Sequence, residues 1–489
     1  MGRILQFFLI DFKSVSSFLK NKYVVFTISR YFGFFIKFLQ SIYIAASLGP
    51  YYFGLWGFIL MLIEYLKYSS IGLEHSVNVE LSTLEKKPSN DKKIGEIIFN
   101  SLIPIFLVSI LMIIGVVIIK LGKYDFGAKY NLLEFLFYII GFIIVNNFHL
   151  ILTNVYRSYL KFNKIIFSEL LFGLLPFLTI FFFSKEYLLR AIIISMIIAR
   201  LIGLLAFVIN FKFPFSWKLN YSFVKSLIII GFGLLVYNVS YSLVFLSANS
   251  VISVFYSVEE FGFFTLAFSV TSATMLGLKA ITYAVYPKVL FNLRDGLIDE
   301  NIKEYISKMT TIYSLVVCLV VVIMVVVLPI LFYFIPEYSP ISVSLNWLLL
   351  AQAFYAFSFI HSSMIFARKK QSYVVKITLI LLAIFIFIYL VIGYNHLDYN
   401  LIAMSITTFV VIYSILQINF ANKLINNNVT WLEIIISVFR LRMIFPIIFS
   451  MAMNYLGLYY LSPLGILIYV LLNIKNIKNA FKEIKILLG

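Results

Sequence analysis

Charged residues are scarce in this chain of 489 residues: Asp, Glu, Lys and Arg together make up 12% of it, whereas 62% is hydrophobic. The hydrophobic residues come in repeated runs of about 20, the length that an α-helix needs to cross a bilayer. A soluble core has no place for so many uninterrupted apolar runs. The scarcity of charge therefore excludes an ordinary soluble domain and predicts an all-α polytopic membrane protein.

Cysteine is almost absent too, since Cys318 is the only one. A single cysteine excludes a disulfide framework and a metal site built from cysteines. Acidic residues are also few, 21 against 39 Lys and Arg, which gives a net charge of +18. In a soluble protein this excess would suggest nucleic acid, but here the basic residues lie mostly in alternate loops, as membrane topology requires. We expect no nucleic acid partner.

Apolar runs predict about 14 transmembrane helices. The predicted spans are roughly 23–48, 51–73, 94–120, 131–156, 165–184, 187–210, 223–250, 260–285, 306–335, 341–367, 373–393, 399–420, 435–455 and 460–475. Lys and Arg are concentrated in both tails and in the alternate loops, so both termini are expected on the cytoplasmic side. No loop is long enough for a separate domain, so the function is expected to lie within the membrane.

Two pairs of matching segments indicate an internal repeat. Phe53-Gly54 matches Phe261-Gly262 at an offset of 208 residues, and "YLKFNK" (159–164) falls against "FARKKQ" (366–371) at nearly the same offset. We therefore expect two parallel six-helix repeats. The predicted domains are a cytoplasmic interfacial segment (1–22), an N-lobe of spans 1–6 (23–210) and a cytoplasmic linker (211–222). A C-lobe of spans 7–12 (223–420) follows, and then spans 13 and 14 with a cytoplasmic tail (421–489).

Four stretches carry a resemblance to a known family: "LGPYYFGLWGF" (48–58), "IGLEHSVNVELS" (71–82), "VFYSVEEFGFFTLAFSV" (254–270) and "YPKVL" (286–290). With an arginine in the first span, they resemble the polysaccharide flippases, the Wzx-type O-antigen transporters, of the superfamily that includes multidrug extruders and lipid II flippases. The resemblance implies a bacterial inner-membrane protein without enzymatic activity. Its implied cargo is undecaprenyl-pyrophosphate carrying a short oligosaccharide, moved to the periplasmic leaflet for surface polysaccharide such as the O-antigen of lipopolysaccharide.

The resemblance also implies a mechanism and partners. The two lobes would enclose a cavity lined mainly by spans 1, 2, 7 and 8, which would open alternately to the two sides of the membrane. A polysaccharide polymerase and a chain-length regulator would be partners, and coupling to H⁺ or Na⁺ would drive transport without a cofactor.

Five of the basic residues inside predicted spans are candidates for a functional role, because a cation there costs about 2.5–3.5 kcal/mol on insertion scales. Arg30 and Lys37 are seven residues apart, hence on one face of the first helix and about 10 Å apart along it. With Lys67, Arg200 and Lys279 they could form a path for a pyrophosphate. The alternatives are that Lys67 pairs with Glu64 one turn away, Arg200 braces neighbouring helices and Lys279 snorkels to the interface.

Polar uncharged side chains form a second candidate set. Asn238, Tyr241 and Asn249 in span 7 are predicted cavity residues that could hydrogen-bond sugar hydroxyls, or could hold helices together. The asparagines of span 4 are better explained as contacts between helices. Glu64 is interpreted as the only carboxylate well inside a span and is therefore the candidate for ion coupling, although the neighbouring Lys67 favours its ionised form.

Two other functions are weighed. A multidrug exporter of the same superfamily usually places acidic residues in its cavity, whereas basic residues outnumber Glu64 in these spans. A membrane-bound polysaccharide polymerase would carry a sizeable external loop, which the sequence lacks, and a glycosyltransferase would need a paired-acid metal site. The acidic residues of "RDGLIDEN" (294–301) lie on a basic loop without further ligands, and no nucleotide-phosphate loop is present.

Overall fold

The computed structural model describes residues 22–83, 91–122, 127–159, 161–209, 217–275, 289, 292–293, 299–426 and 429–488. All regular secondary structure in these residues is helical, which confirms the all-α polytopic prediction. The chain divides into two compact units. The first takes in residues 22–40 and Phe58–Val236, and the second Ser41–Gly57 and residues 237–488.

The first unit is built from both ends of one long helix and the helices that follow it. Its helices are α1 (Lys22–Lys67, whose middle belongs to the second unit), α2 (Leu73–Thr83), α3 (Asp91–Leu121), α4 (Leu132–Ser158), α5 (Phe162–Thr179), α6 (Lys185–Val208) and most of α7 (Tyr221–Ser240). A fully buried cluster joins α2, α3, α4 and α7 through Val77, Ile97, Val155 and Leu227. Because lipid is as apolar as these side chains, close packing rather than exclusion of water holds them together.

The second unit contains the middle of α1 and the remaining helices. These are α8 (Ser242–Phe255), α9 (Val258–Thr274), α10 (Asp299–Phe334), α11 (Ser342–Ala367), α12 (Gln371–Tyr394), α13 (Asn400–Leu424), α14 (Trp431–Val438), α15 (Leu441–Tyr455) and α16 (Leu464–Leu488). Small residues let α11 and α13 approach closely, with Ser358 Oγ 3.0 Å from Ser414 Oγ. The Thr407 hydroxyl donates to the carbonyl of Trp347 at 2.7 Å and joins the same two helices.

Helix ends and breaks follow the local sequence. Gly49 has φ 77° and ψ 175° and is followed by Pro50, so α1 is bent there although both flanks are helical. Ser257 and Thr430 begin α9 and α14 with capping boxes. In each, the hydroxyl of the cap accepts a hydrogen bond from the backbone N–H of the glutamate three residues later, and the carboxylate of that glutamate accepts one from the backbone N–H of the cap. The local sequence thus determines where these helices begin.

The count of spans depends on these breaks. Nine helices in the described part of the chain are long and apolar enough to cross a membrane, or ten if α14 and α15, bent by 44°, form one span. Each of the predicted spans nevertheless overlaps a described helix. The lower count has several causes. Phe38–Ser70 carries parts of the first two predicted spans, and the seventh is divided into α7 and α8, both short. The described part of the eighth, α9, has 17 residues, and α16 is not among the nine helices. The chain is a multi-pass membrane protein.

The two Phe-Gly pairs of the sequence repeat meet in the second unit, where α1 crosses α9. A Cβ on Gly54 would overlap the carbonyl oxygen of Val258, and a Cβ on Gly262 would overlap that of Pro50 and lie 2.9 Å from Gly54 N. Only glycine permits this approach of the two backbones. The segments that match in sequence are therefore in direct contact.

Candidate transport site

Arg30 and Lys37, the central predicted cations, lie on α1, but their side chains are outside the part of the chain that the structure describes. Gly33 stands between them, one turn from each. At this point α1 approaches α5 closely, because a Cβ on Gly173 would lie 3.3 Å from Gly33 Cα. A role for these two cations in the transport path stays a prediction.

Lys67 pairs with Glu64 on the same helix, as the spacing of three residues suggests. Lys67 Nζ lies 2.5 Å from Glu64 Oε2, and the two side chains are 38% and 46% exposed. A pair with this exposure is worth about 0–1 kcal/mol. Because so little free energy binds the two groups together, either can exchange its partner for another charge.

Arg200 on α6 lies at the centre of a buried polar network in the first unit. It is 6% exposed, and its Nη1 donates to Glu169 Oε1 on α5 at 2.8 Å. The guanidinium carbon lies 3.7 Å from the ring centroid of Phe172. Nη1 is also 3.5 Å from Nδ1 of His149 on α4, whose Nε2 lies 2.5 Å from Ser168 Oγ. Arg200 therefore joins α4, α5 and α6.

Both ring nitrogens of His149 have polar neighbours. Besides Arg200, the Thr153 hydroxyl lies 3.3 Å from Nδ1, and a hydrogen bond joins Nε2 to Ser168 Oγ. A Cβ on Gly203 would overlap Ser168 Oγ and lie 3.0 Å from His149 Nε2, so the glycine provides the space for this hydrogen bond.

Glu169 shows that one interpretation from the sequence is wrong. Glu64 is not the only carboxylate inside a span, because Glu169 lies within the apolar helix Phe162–Thr179 and contacts Arg200. The signal was present: a lone acid in the fifth predicted span and two bases, Arg190 and Arg200, in the sixth make a pair possible. Consecutive spans are neighbours in helical bundles, and intramembrane charges are usually paired.

A third ion pair joins Glu134 on α4 to Arg190 on α6, with both side chains half-exposed. Polar contacts further fix α4 to the segment after α1. Asn147 Nδ2 donates to Ser69 Oγ at 3.0 Å, and Asn154 Nδ2 donates to the carbonyl of Glu74 at 2.9 Å. These asparagines hold helices together, as expected for span 4.

The predicted polar residues of span 7 are differently placed. The side chain of Asn238, like the whole of Lys279, is outside the described residues. Asn249 is buried and donates to the carbonyl of Phe245 in its own helix at 2.9 Å. Tyr241 lies where α7 meets α8, with its ring centroid 5.1 Å from that of Tyr355 and 5.6 Å from that of Tyr413. Contact of Tyr241 and Asn249 with a substrate stays a prediction.

Comparisons with known proteins identify the fold. No family model and no curated protein sequence matches the chain. Among solved structures, an inward-facing multidrug resistance MATE family transporter of the MOP superfamily matches with a TM-score of 0.69 at 14% identity, over 82% of this chain and 98% of that one. The lipid II flippase MurJ in an inward closed conformation matches with a TM-score of 0.70 at 16% identity, over 94% of this chain and 99% of that one. A MATE structure in complex with MaL6 matches with a TM-score of 0.58 at 14% identity, over 83% and 96%. The chain has the helical fold that these membrane transporters share.

Proposed function

We propose that the chain is a flippase for undecaprenyl-pyrophosphate-linked oligosaccharide in the bacterial inner membrane. It carries the lipid-linked repeat unit from the cytoplasmic to the periplasmic leaflet by alternating access, with both termini in the cytoplasm. Surface polysaccharide such as O-antigen is the product of the pathway that it serves. A polysaccharide polymerase and a chain-length regulator then act on what it delivers.

The extent of the structural matches is the observation that carries this proposal. Both neighbours are matched over almost their whole length, but the match covers 82% of this chain for the MATE transporter and 94% for MurJ. The difference corresponds to about 60 residues of this chain. A lipid II flippase therefore accounts for more of the chain's length than a multidrug transporter does.

The distribution of charge supports an anionic cargo. In the first unit, Lys67 and Arg200 have carboxylate partners in Glu64 and Glu169. The segment 22–48 carries Arg30 and Lys37 and contains no acidic residue. Intramembrane cations are stable where they face water or an anion, and a pyrophosphate headgroup supplies the anion. We assign Arg30 and Lys37 to headgroup binding, with Lys279 as a further predicted cation.

Lys67 and Arg200 have different proposed parts. The exposed pair of Lys67 and Glu64 can open to meet the headgroup at little cost, whereas the buried pair of Arg200 and Glu169 braces the first unit. Glu64 is the candidate for coupling to H⁺ or Na⁺. Tyr241, Asn238 and Asn249 are proposed to meet the sugar.

A multidrug exporter is the second candidate, and the fold fits it equally well. The buried Glu169 favours it, since a carboxylate within a span can bind a cationic drug. The pairing with Arg200 at 2.8 Å opposes this assignment, because the guanidinium already neutralises the carboxylate.

The test is reconstitution of the purified chain into liposomes containing a fluorescent polyprenyl-pyrophosphate-linked oligosaccharide. Wild type should expose the probe to an impermeant quencher on the opposite side, and Arg30→Ala and Lys37→Ala should not. Ethidium uptake into the same liposomes measures the alternative. Ethidium transport without movement of the lipid-linked probe would assign the chain to the exporters and overturn the proposal.

A further inference from the structure

The second unit contains a cavity of about 190 Å³ that the transport proposal does not use. The start of α10, the ends of α11 and α13, and α14 surround it. Its lining includes Lys303, Thr310, Phe357, His361, Glu433 and Arg440. All of these residues belong to one compact unit, so the cavity is intrinsic to that unit.

The cavity carries an excess of positive charge. Lys303 and Arg440 line it, and neither has an acidic partner within salt-bridge distance among the described residues. Glu433 is its acidic lining residue, but Glu433 Oε2 accepts the backbone N–H of Thr430 at 2.9 Å in the capping box of α14. That hydrogen bond holds the carboxylate at the start of its own helix. The lining thus carries two cations against one carboxylate, a net charge of +1.

Arg440 is held in place by neighbouring helices and keeps guanidinium N–H groups that can bind a ligand. Its Nη1 donates to Thr311 Oγ1 at 3.1 Å, and its guanidinium carbon lies 5.7 Å from the ring centroid of Phe357. A guanidinium has five N–H donors in a rigid fork. The fork is thus oriented by α10 and α11 while the side chain still lines the cavity, which is the arrangement that suits phosphate oxygens.

A buried hydroxyl provides a second, independent indication of a ligand. Thr310 is 1% exposed and lines the cavity, and its Oγ1 has no hydrogen-bond partner among the described residues. A buried donor without a partner is destabilising. A guest that accepts a hydrogen bond would remove this defect, and phosphate oxygens are strong acceptors.

The neighbouring helix indicates that the guest is a lipid. α14 buries Ile434 and Val438 against the unit but leaves Trp431 56% and Leu432 67% exposed. A short helix with one buried and one exposed apolar face, beside a bend of 44° into the next span, is typical of the membrane interface. Headgroup phosphates lie at that depth, and acyl chains could cover the exposed face.

We propose that this cavity binds the headgroup phosphate of an anionic phospholipid. Arg440 and Lys303 contact the phosphate oxygens, the Thr310 hydroxyl donates to one of them, and the acyl chains lie along the exposed face of α14. The proposal does not depend on the identity of the cargo.

Native mass spectrometry of the full chain in detergent, titrated with dioleoylphosphatidylglycerol, tests the proposal. Arg440→Gln and Lys303→Gln should each weaken binding of one lipid molecule about tenfold, the loss of one charge-assisted hydrogen bond. Arg442→Gln is the matched control, since Arg442 is exposed and does not line the cavity; it should bind as wild type. Dioleoylphosphatidylcholine, with the same chains but no net charge, should bind more weakly.

Thr310→Val separates ligand binding from a merely structural role. The variant removes the unpartnered hydroxyl, so it should unfold at a higher temperature than wild type without lipid, yet gain less stability from phosphatidylglycerol. Equal lipid binding by wild type, Arg440→Gln and Lys303→Gln would overturn the proposal. Displacement of the lipid by millimolar inorganic phosphate would also overturn it, because the cavity would then be a site for free phosphate.

Discussion

The pair of Arg200 and Glu169 allows the clearest quantitative prediction. Glu169→Gln keeps the shape of the side chain but leaves the guanidinium buried without a counter-charge. The Arg200 Nε already lacks a partner among the described residues, so there is little to compensate. Breaking a buried pair from one side costs about 3–5 kcal/mol. Because Glu169 itself is 25% exposed, we expect a loss near 3 kcal/mol, the lower end of that range.

The assay is thermal unfolding of the purified chain in detergent. The unit that contains the pair has about 200 residues, for which 1 kcal/mol corresponds to a shift of about 2–4 °C. Glu169→Gln should therefore lower the melting temperature by about 6–12 °C. Glu134→Gln is the matched control, since it breaks the half-exposed pair with Arg190 and should cost about 0–1 kcal/mol.

The double variant Arg200→Met with Glu169→Gln completes the test. Removing both charges from a buried pair is often neutral or stabilising, so the double variant should unfold close to wild type. If Arg200 only braces the helices, this variant should also transport at the wild-type rate. Equal losses in Glu169→Gln and Glu134→Gln, or additive losses in the double variant, would refute the reasoning.

Three further predictions concern the other charged and close-packed positions. Gly54→Ala should destabilise the chain by more than 1 kcal/mol, because the new Cβ would overlap the Val258 carbonyl. Gly233→Ala should stabilise α7 by up to about 1 kcal/mol, because a Cβ there meets nothing within 4 Å. The melting temperatures of the two variants check both values. Glu64→Gln should change stability by about 0–1 kcal/mol in the same assay. Lys37→Ala should abolish surface polysaccharide at normal membrane expression, Lys37→Arg should be milder, and wild-type polysaccharide in the alanine variant would contradict the assignment.

Much of the fold could be predicted because the bilayer imposes a simple rule on the sequence. A helix that crosses lipid needs about 20 apolar residues, and each predicted span overlaps a described helix. The break near Arg440 was also visible, since two arginines and a proline interrupt "WLEIIISVFRLRMIFPII". Features of this kind depend on a few neighbouring residues, so they can be predicted from the sequence alone.

Contacts between helices could be predicted only where spacing determines them. The pair of Lys67 and Glu64 follows from positions three residues apart on one helix. The pair of Arg200 and Glu169 depends instead on how α5 and α6 rotate about their axes, which the sequence of either helix leaves open. The cavity beside Arg440 combines four helices from a stretch of more than 130 residues, and no local pattern announces it.

The difference between paired and unpaired cations is what separates structure from function in this chain. In a low-dielectric interior every charge needs compensation, and a cation with a carboxylate partner can be removed together with it at little cost. A cation whose compensation comes from a ligand has no partner that can be removed with it, so its loss leaves the protein folded but inactive. We propose that Arg30 and Lys37 belong to the second kind, whereas Arg200, which pairs with Glu169, belongs to the first. Variants of the two cations on α1 should therefore lose transport without losing stability, whereas at Arg200 on α6 transport should change only when stability does.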